Sequence, residues 1–461
     1  MNKTYDTIGI KTLLGDPKKA IKTFSPLAII AMLLNASYPL IDSFWVSGLS
    51  DTSLAAIGFI NPIYLGIIGI STGLALGANS VITKYIGEKN KEKASNSALH
   101  ILLIGIVLSI ICTIFLEVLL EPILQLLAAK PVIESSLNYG RILFSGTFLI
   151  IFTNVLYGIF RAEANSKRAI KVMLFGAILN AFLDPLFIYY FNLGIKGAAI
   201  ATISSLSIIS LLLVYLYRKD TYLNLSFKEF KYSKNLLLEI SNIFIPASIE
   251  YMIIAITTAI INYILIINIG LNGVAIYTGG WAVVELIMTP TIAIGTIMII
   301  VISANFGRKN YENILKTQDY VIKISILIAI ILSIIVFIIA PFISYLFTYS
   351  ANAAQISSEL TYFLRVTCLY YLFLPFGISA SSLFRGIGKG LNSLISNVFS
   401  SLILQIIFAY IFTIVLNFGE NGVWYGIILG NSIGCLISFI WSKYYIKKLI
   451  DKKGLITPYK Q

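Results

Sequence analysis

Charge is what this chain has least of. Only 12% of its 461 residues are charged, about half the share of a soluble globular domain, while 58% are hydrophobic and the mean hydropathy is +0.88. A water-soluble fold is excluded, and a polytopic membrane protein is left. Histidine occurs once, at position 100, and cysteine three times. Cys112, Cys368 and Cys435 all fall inside apolar runs, so they read as buried small hydrophobes and not as a disulfide framework. The chain lacks a Gly-x-x-x-x-Gly-Lys-Ser/Thr loop to cradle a nucleotide, and no metal-ligand spacing of His, Cys, Asp and Glu occurs. Hydrolytic energy coupling, enzymatic chemistry and an organic cofactor are therefore not expected. A cleavable leader is not evident either, because the first apolar run begins only near Phe24.

The charges that are present are ordered. A window of about 20 apolar residues finds twelve candidate spans, near 21–48, 54–83, 95–120, 136–160, 169–191, 197–217, 241–269, 273–303, 317–340, 359–383, 393–416 and 421–445. Loops between them alternate in basic content. Of 34 Lys and Arg, only Lys130, Arg141, Lys196 and Arg365 fall on the poor side. By the positive-inside rule both termini are cytoplasmic. The formal charge of +13 thus reports membrane topology and not a nucleic-acid partner, since the basic residues sit at span ends and not in one patch. His100, beside a basic loop at the start of the third span, reads as interfacial and not as a proton relay.

The longest polar break, Arg218 to Lys234, divides two halves that repeat each other. Pro26 pairs with Pro246, Asp42 with Asn262, and Gly87-Glu-Lys-Asn90 with Gly307-Arg-Lys-Asn310, all at an offset of 220. Phe160-Arg161 pairs with Phe384-Arg385 at 224, and Gly194 and Gly197 recur as Gly419 and Gly422 at 225. Six spans per half is an even number, so the copies insert in the same orientation, as a parallel repeat about an axis along the membrane normal. The expected fold is all-α, with twelve transmembrane helices in two six-helix lobes: an N-lobe of residues 1–217, a cytoplasmic linker of 218–235 and a C-lobe of 236–461.

Polar residues inside the spans mark the candidate site. Asn180 and Asp184 stand one helical turn apart in an apolar run from Val172 to Phe191, and Pro185 frees the carbonyl of Ala181. An intramembrane acid costs roughly 2.5–3.5 kcal/mol on insertion scales, so it needs partners or a task. A carboxylate, an amide and a loose carbonyl on one side of a broken helix suit a cation or a proton; the competing reading is a structural Asp bonded to a neighbouring helix. In the second half Asp42 is replaced by Asn262, and Asn180 and Asp184 align near Gln405 and Ala409. The carboxylate pair belongs to the first half alone.

These residues resemble the multidrug and toxic compound extrusion (MATE) family, most closely its archaeal and DinF-like branch. The resemblance rests on an ordered set of motifs: Tyr38-Pro-Leu-Ile-Asp42-Ser-Phe-Trp45-Val-Ser-Gly48, Gly73-Leu-Ala-Leu-Gly77 running to Tyr85-Ile-Gly87-Glu-Lys-Asn, Leu183-Asp184-Pro185-Leu-Phe-Ile188, and Gly194-Ile-Lys-Gly197-Ala-Ala-Ile-Ala-Thr202. The Gly-Asp-Arg-Gly-Arg-like loop of the major facilitator superfamily is not matched by Lys84–Lys93. The resemblance implies that Asp42, Asn180, Asp184 and Thr202 build a proton or Na⁺ site, with Asn35, Tyr38, Tyr139 and Asn154 lining the same cavity. Helix-packing hydrogen bonds are the competing reading for Tyr38, Tyr139 and Asn154. Pro26 and Pro39 are expected to bend the first helix. Another branch places an acid in the C-lobe; Glu250 aligns poorly with it, and for Glu250 and Glu285 a place near a helix end is the competing reading. The implied activity is secondary active export of amphipathic or cationic drugs or toxic metabolites against H⁺ or Na⁺, by a monomer in the cell membrane. The alternative is a flippase for a lipid-linked or polysaccharide-type substrate of the wider superfamily.

Overall fold

The computed structural model describes residues 8–49, 51–126, 132–219, 221–347 and 356–452, and among them there are helices and no strands. A short α1 (Ile8–Leu13) precedes the spans α2 (Pro17–Ser47), α3 (Asp51–Gly87) and α4 (Lys91–Leu126). The fourth span is split into α5 (Ile133–Ser145) and α6 (Thr147–Ala162), which meet at 48° across Gly146. Glycine is required there because a Cβ would lie 2.7 Å from Ile203 of the neighbouring α8 (Ile195–Lys219). Between α6 and α8, α7 (Ser166–Pro185) runs on into a π-helical turn, Leu186–Tyr190. The second half repeats the plan: α9 (Lys234–Asn268), α10 (Leu271–Gly307), α11 (Tyr311–Phe347), α12 (Ser357–Gly386), then α13 (Gly390–Asn397) and α14 (Gln405–Tyr410) with π-helical stretches at Val398–Leu404 and Ile411–Val415, and finally α15 (Gly419–Lys452). Among the described residues eleven helices are long and apolar enough to cross a membrane, twelve with the bent pair counted as one. The expected spans are all found, most of them longer at their polar ends.

Backbone geometry carries the repeat as far as the sequence does. Lys89 and Lys309 share a left-handed φ of 58° and 59°, Asn192 and Asn417 one of 55° and 53°, and Gly194 and Gly419 one of 54° and 59°. The π turns at 186–190 and 411–415 match at the same offset of 225. In each copy the glycine after the turn, Gly197 or Gly422, lets its helix start against the carbonyl of Phe187 or Phe412, where a Cβ would come within 2.6 or 2.7 Å. Two copies of one six-helix unit follow from both lines of observation.

Packing divides the chain into two compact units at Tyr251–Met252, inside α9 and not in the polar linker. The physical reason is a set of glycines on α3. Gly69 lies against Tyr251, Gly73 against Phe244 and Ser248, and Gly77 against Ile240, so the first half of α9 is seated on the first unit. Lys84 and Tyr85 hold Glu239 at 3.0 and 3.1 Å at the same end.

The linker itself is fastened to the first unit by side chains that bond backbone. Asn96 donates to the Lys231 carbonyl at 2.7 Å and accepts from its N–H at 3.2 Å, Ser95 accepts from Asn224 N–H, and Lys231 pairs with Glu92 at 2.7 Å. His100 is buried against the linker at the start of α4. Its Nε2 accepts the Ser233 N–H at 3.1 Å, so its Nδ1 carries the proton given to the Asn96 carbonyl at 2.8 Å.

Glu163, just past α6, is the linker's other anchor. It is 1% exposed; one carboxyl oxygen accepts from Tyr217 at 2.8 Å and from the Leu223 N–H at 3.2 Å, with Lys91 the nearest cation acting on it. Burial pushes its pKa up to about 7, and its hydrogen bonds and Lys91 only partly oppose this. The folded chain thus keeps a proton that the unfolded chain releases near pH 4.5, and stability falls as pH rises through that interval. Thermal unfolding of the purified protein should show a loss on the order of 3 kcal/mol between pH 4.5 and 7. Glu163→Gln should remove Glu163's share of that slope, leaving the share of the buried Asp42–Asp184 pair, and an unchanged slope would show that Glu163 makes no contribution.

Candidate functional site

Three helices bring the polar residues of the first unit together. Asp42 comes from the last turns of α2, Asn180 and Asp184 from the end of α7, and Thr202 from the second turn of α8. All four are buried, Asn180 and Asp184 completely. The Thr202 hydroxyl lies 3.1 Å from Asp42 Oδ2 and 3.1 Å from the Ala198 carbonyl, and Asn180 Nδ2 lies 3.4 Å from Asp184 Oδ1. Asp42 and Asp184 act on one another electrostatically across the cluster. The helix carries Asp184 into Pro185 without a break and then widens into the π turn. At the far end of α2, Tyr189 from that turn donates to the Trp45 carbonyl at 2.6 Å, fixing α7 to α2 beside the site.

Three acceptor oxygens in this cluster have no donor among the described residues: Asp42 Oδ1, Asn180 Oδ1 and Asp184 Oδ2. Two facing carboxylates with unpaired oxygens, shielded from water, cannot both stay ionised without a cation. The donor set is hard oxygen, which fits a shared proton or Na⁺ and fits no thiolate- or imidazole-binding metal. No group of three or more His, Cys, Asp or Glu that could hold a metal occurs among the described residues.

The other expected residues fare differently. Tyr139 is buried on α5 in the hydrophobic core of the first unit. Asn154 instead donates to Ser71 Oγ at 3.2 Å, joining α6 to α3. Asn35 is exposed, two turns before Asp42 on α2. The side chains of Tyr38 and Pro39 lie outside the described part, and Pro26 sits within the uninterrupted α2. Glu250 is 9% exposed and falls in the first unit, while Glu285 is exposed on α10. Tyr64, which the sequence reading did not single out, lies on α3 and packs partly buried against the first unit's core. Its one signal was a hydroxyl-bearing ring two residues after Pro62 in mid-span.

The second copy shows why it has no such site. Positions matching Ala201, Ser205 and Ile209 are Gly426, Gly430 and Gly434, and α15 there closes on Ala409, Gln405 and Ser400 so tightly that Cβ atoms would overlap them. Gln405, in the place of Asn180, is bonded by Asn431 Nδ2 at 2.9 Å. Backbone fills the space that holds carboxylates in the first copy.

The profile of the MatE family matches residues 28–186 and again 246–411, one match per copy. The chain belongs to the MatE family. Among solved structures it is similar to a MATE transporter in complex with MaL6 (36% identity, 96% of this chain and 100% of that one, TM-score 0.94). It is also similar to a MOP-superfamily transporter from Pyrococcus furiosus (36% identity, 96% and 99%, TM-score 0.93). The multidrug export protein MepA of Staphylococcus aureus is 24% identical over 92% of both chains. MATE proteins are transporters and not enzymes, and this chain has their twelve-helix, two-lobed fold.

Proposed function

We propose that this chain is a secondary active multidrug exporter, exchanging amphipathic or cationic small molecules for H⁺ or Na⁺ by alternating access. The observation that carries the coupling is the buried Asp42–Asp184 pair with its three unpaired oxygens. Ion binding would neutralise the pair and let α2 pack more closely on α7 and α8; ion release would separate the carboxylates and loosen that packing. A proton is favoured, because a protonated carboxyl bonded to Asn180 needs no further ligand whereas Na⁺ needs about five oxygens. A lipid-linked pyrophosphate would meet two carboxylates here, which counts against the flippase alternative. The basic loops support cytoplasmic termini. The repeat supports lobes of 1–217 and 236–461 about the linker.

The test is export of a cationic dye from proteoliposomes, with a proton gradient and a Na⁺ gradient imposed separately. One gradient should drive dye out of the vesicles, and dye should lower ion affinity by the factor by which the ion lowers dye affinity. Transport indifferent to both gradients would overturn the reading. For orientation, single cysteines at Lys228 and Glu134 in a cysteine-free background should label from opposite faces of the membrane, Lys228 from inside. Labelling from one face would refute the topology.

A further inference from the structure

Basic residues crowd one corner of the first unit beyond what topology asks for. Lys11 lies on α1, Lys18, Lys19 and Lys22 open α2, and Lys167 and Lys171 open α7; all six are exposed. The three helices meet there. α2 packs along α7, and Gly9 of α1 sits so close to the Ala164 carbonyl that a Cβ would overlap it, which places α1 beside the start of α7. Among the described residues of these segments the acids are Asp16, which caps α2, and the buried Glu163.

The repeat supplies an internal control. If the cluster only obeyed the positive-inside rule, the second copy would carry it too. The positions matching the five lysines of α2 and α7 are Leu238, Glu239 and Asn242 at the offset of 220, and Leu391 and Ile395 at 224. Not one is basic. Lys11 alone meets a lysine, Lys231 of the linker, and that one is paired with Glu92. The second copy has Lys234 at the start of α9 and Lys389 before α13, but at other positions; the six-lysine cluster itself belongs to the first copy.

We propose that the linker-side ends of α1, α2 and α7 form a binding surface for anionic phospholipid headgroups. Position selects a membrane lipid over a soluble anion. Lys22 and Lys171 stand at the edge of apolar runs starting at Phe24 and Val172, the depth at which phosphates of that leaflet lie. Ile8, 86% exposed on α1 beside Lys11, adds an apolar side chain to the same surface. Headgroups bridging the lysines of α2 and α7 would tie together the two helices whose far ends hold Asp42 and Asp184.

The experiment compares thermal unfolding in nanodiscs of phosphatidylcholine alone and with about 30% phosphatidylglycerol. The wild type should gain about 5 °C from the anionic lipid. The variant K18Q/K19Q/K22Q/K167Q/K171Q should lose that gain, while a control neutralising Lys309, Lys323, Lys447 and Lys448 keeps it. Native mass spectrometry should show the wild type retaining phosphatidylglycerol at least about fivefold better than the patch variant. Should the quintuple variant fold poorly, Lys19→Gln, Lys22→Gln and Lys171→Gln singly should each remove part of the gain. Equal gains in patch and control variants would overturn the proposal, as would a wild type stabilised equally by inorganic phosphate in phosphatidylcholine discs.

Discussion

Asp184→Asn and Asp42→Asn should each abolish gradient-driven export while leaving a folded protein. Asparagine keeps the shape and one acceptor of the carboxyl but cannot change charge, and the proposed cycle needs the pair to alternate between neutral and anionic forms. The effect on stability should run opposite to that on transport. One of the two buried acids must take up a proton on folding at neutral pH, and an asparagine is neutral without it, so each variant should gain stability on the order of 1 kcal/mol. The amide nitrogen that Asp184→Asn introduces would also meet oxygens that now have no donor. Transport by proteoliposomes and thermal unfolding in detergent measure the two outcomes on the same preparation. A variant exporting dye at the full wild-type rate under the gradient would remove that residue from the coupling site.

Gly426→Val should prevent the second lobe from folding. A side chain at Gly426 would overlap the backbone of Ala409 itself, and backbone has no rotamer to move aside. Overpacking of this kind costs about 3 kcal/mol or more, because α15 must leave α14 along its whole length. The equivalent position in the first lobe, Ala201, already carries a Cβ, so Ala201→Gly should cost only about 1 kcal/mol, the helix-propensity difference. Yield of monodisperse protein and its melting temperature decide the matter; a wild-type melt for Gly426→Val would mean that the helix contact is not as close as described.

Much of this was legible in the sequence, for reasons that differ by residue. The spans were legible because hydrocarbon imposes a length of about 20 apolar residues, and the repeat because its glycines and prolines recur at fixed offsets. The carboxylate pair was legible because an acid in an apolar run is costly enough to be conspicuous. Thr202 and Tyr139 entered through the family resemblance. Hydropathy could not show the bend at Gly146, since a straight and a bent span have the same composition. Nor could it show that α9 is shared between two packing units, because Gly69, Gly73 and Gly77 become meaningful only when the helix they receive is known. Asn154 illustrates the limit of polarity as a signal. It is an amide in mid-span like Asn180, yet its partner is Ser71, and its work is to hold two helices together. The π turns left no mark on composition at all; the paired Asn and Gly that follow them did.

The single imidazole has a use of its own. His100 is the chain's only histidine, and the nitrogen that a reagent would attack, Nε2, is occupied by the Ser233 N–H for as long as the linker stays docked. Its reactivity towards an acylating reagent, or the shift of its one pair of ring resonances, therefore reads the detached fraction of the linker directly, without an introduced label. Followed during turnover, that signal would time the linker against the transport cycle.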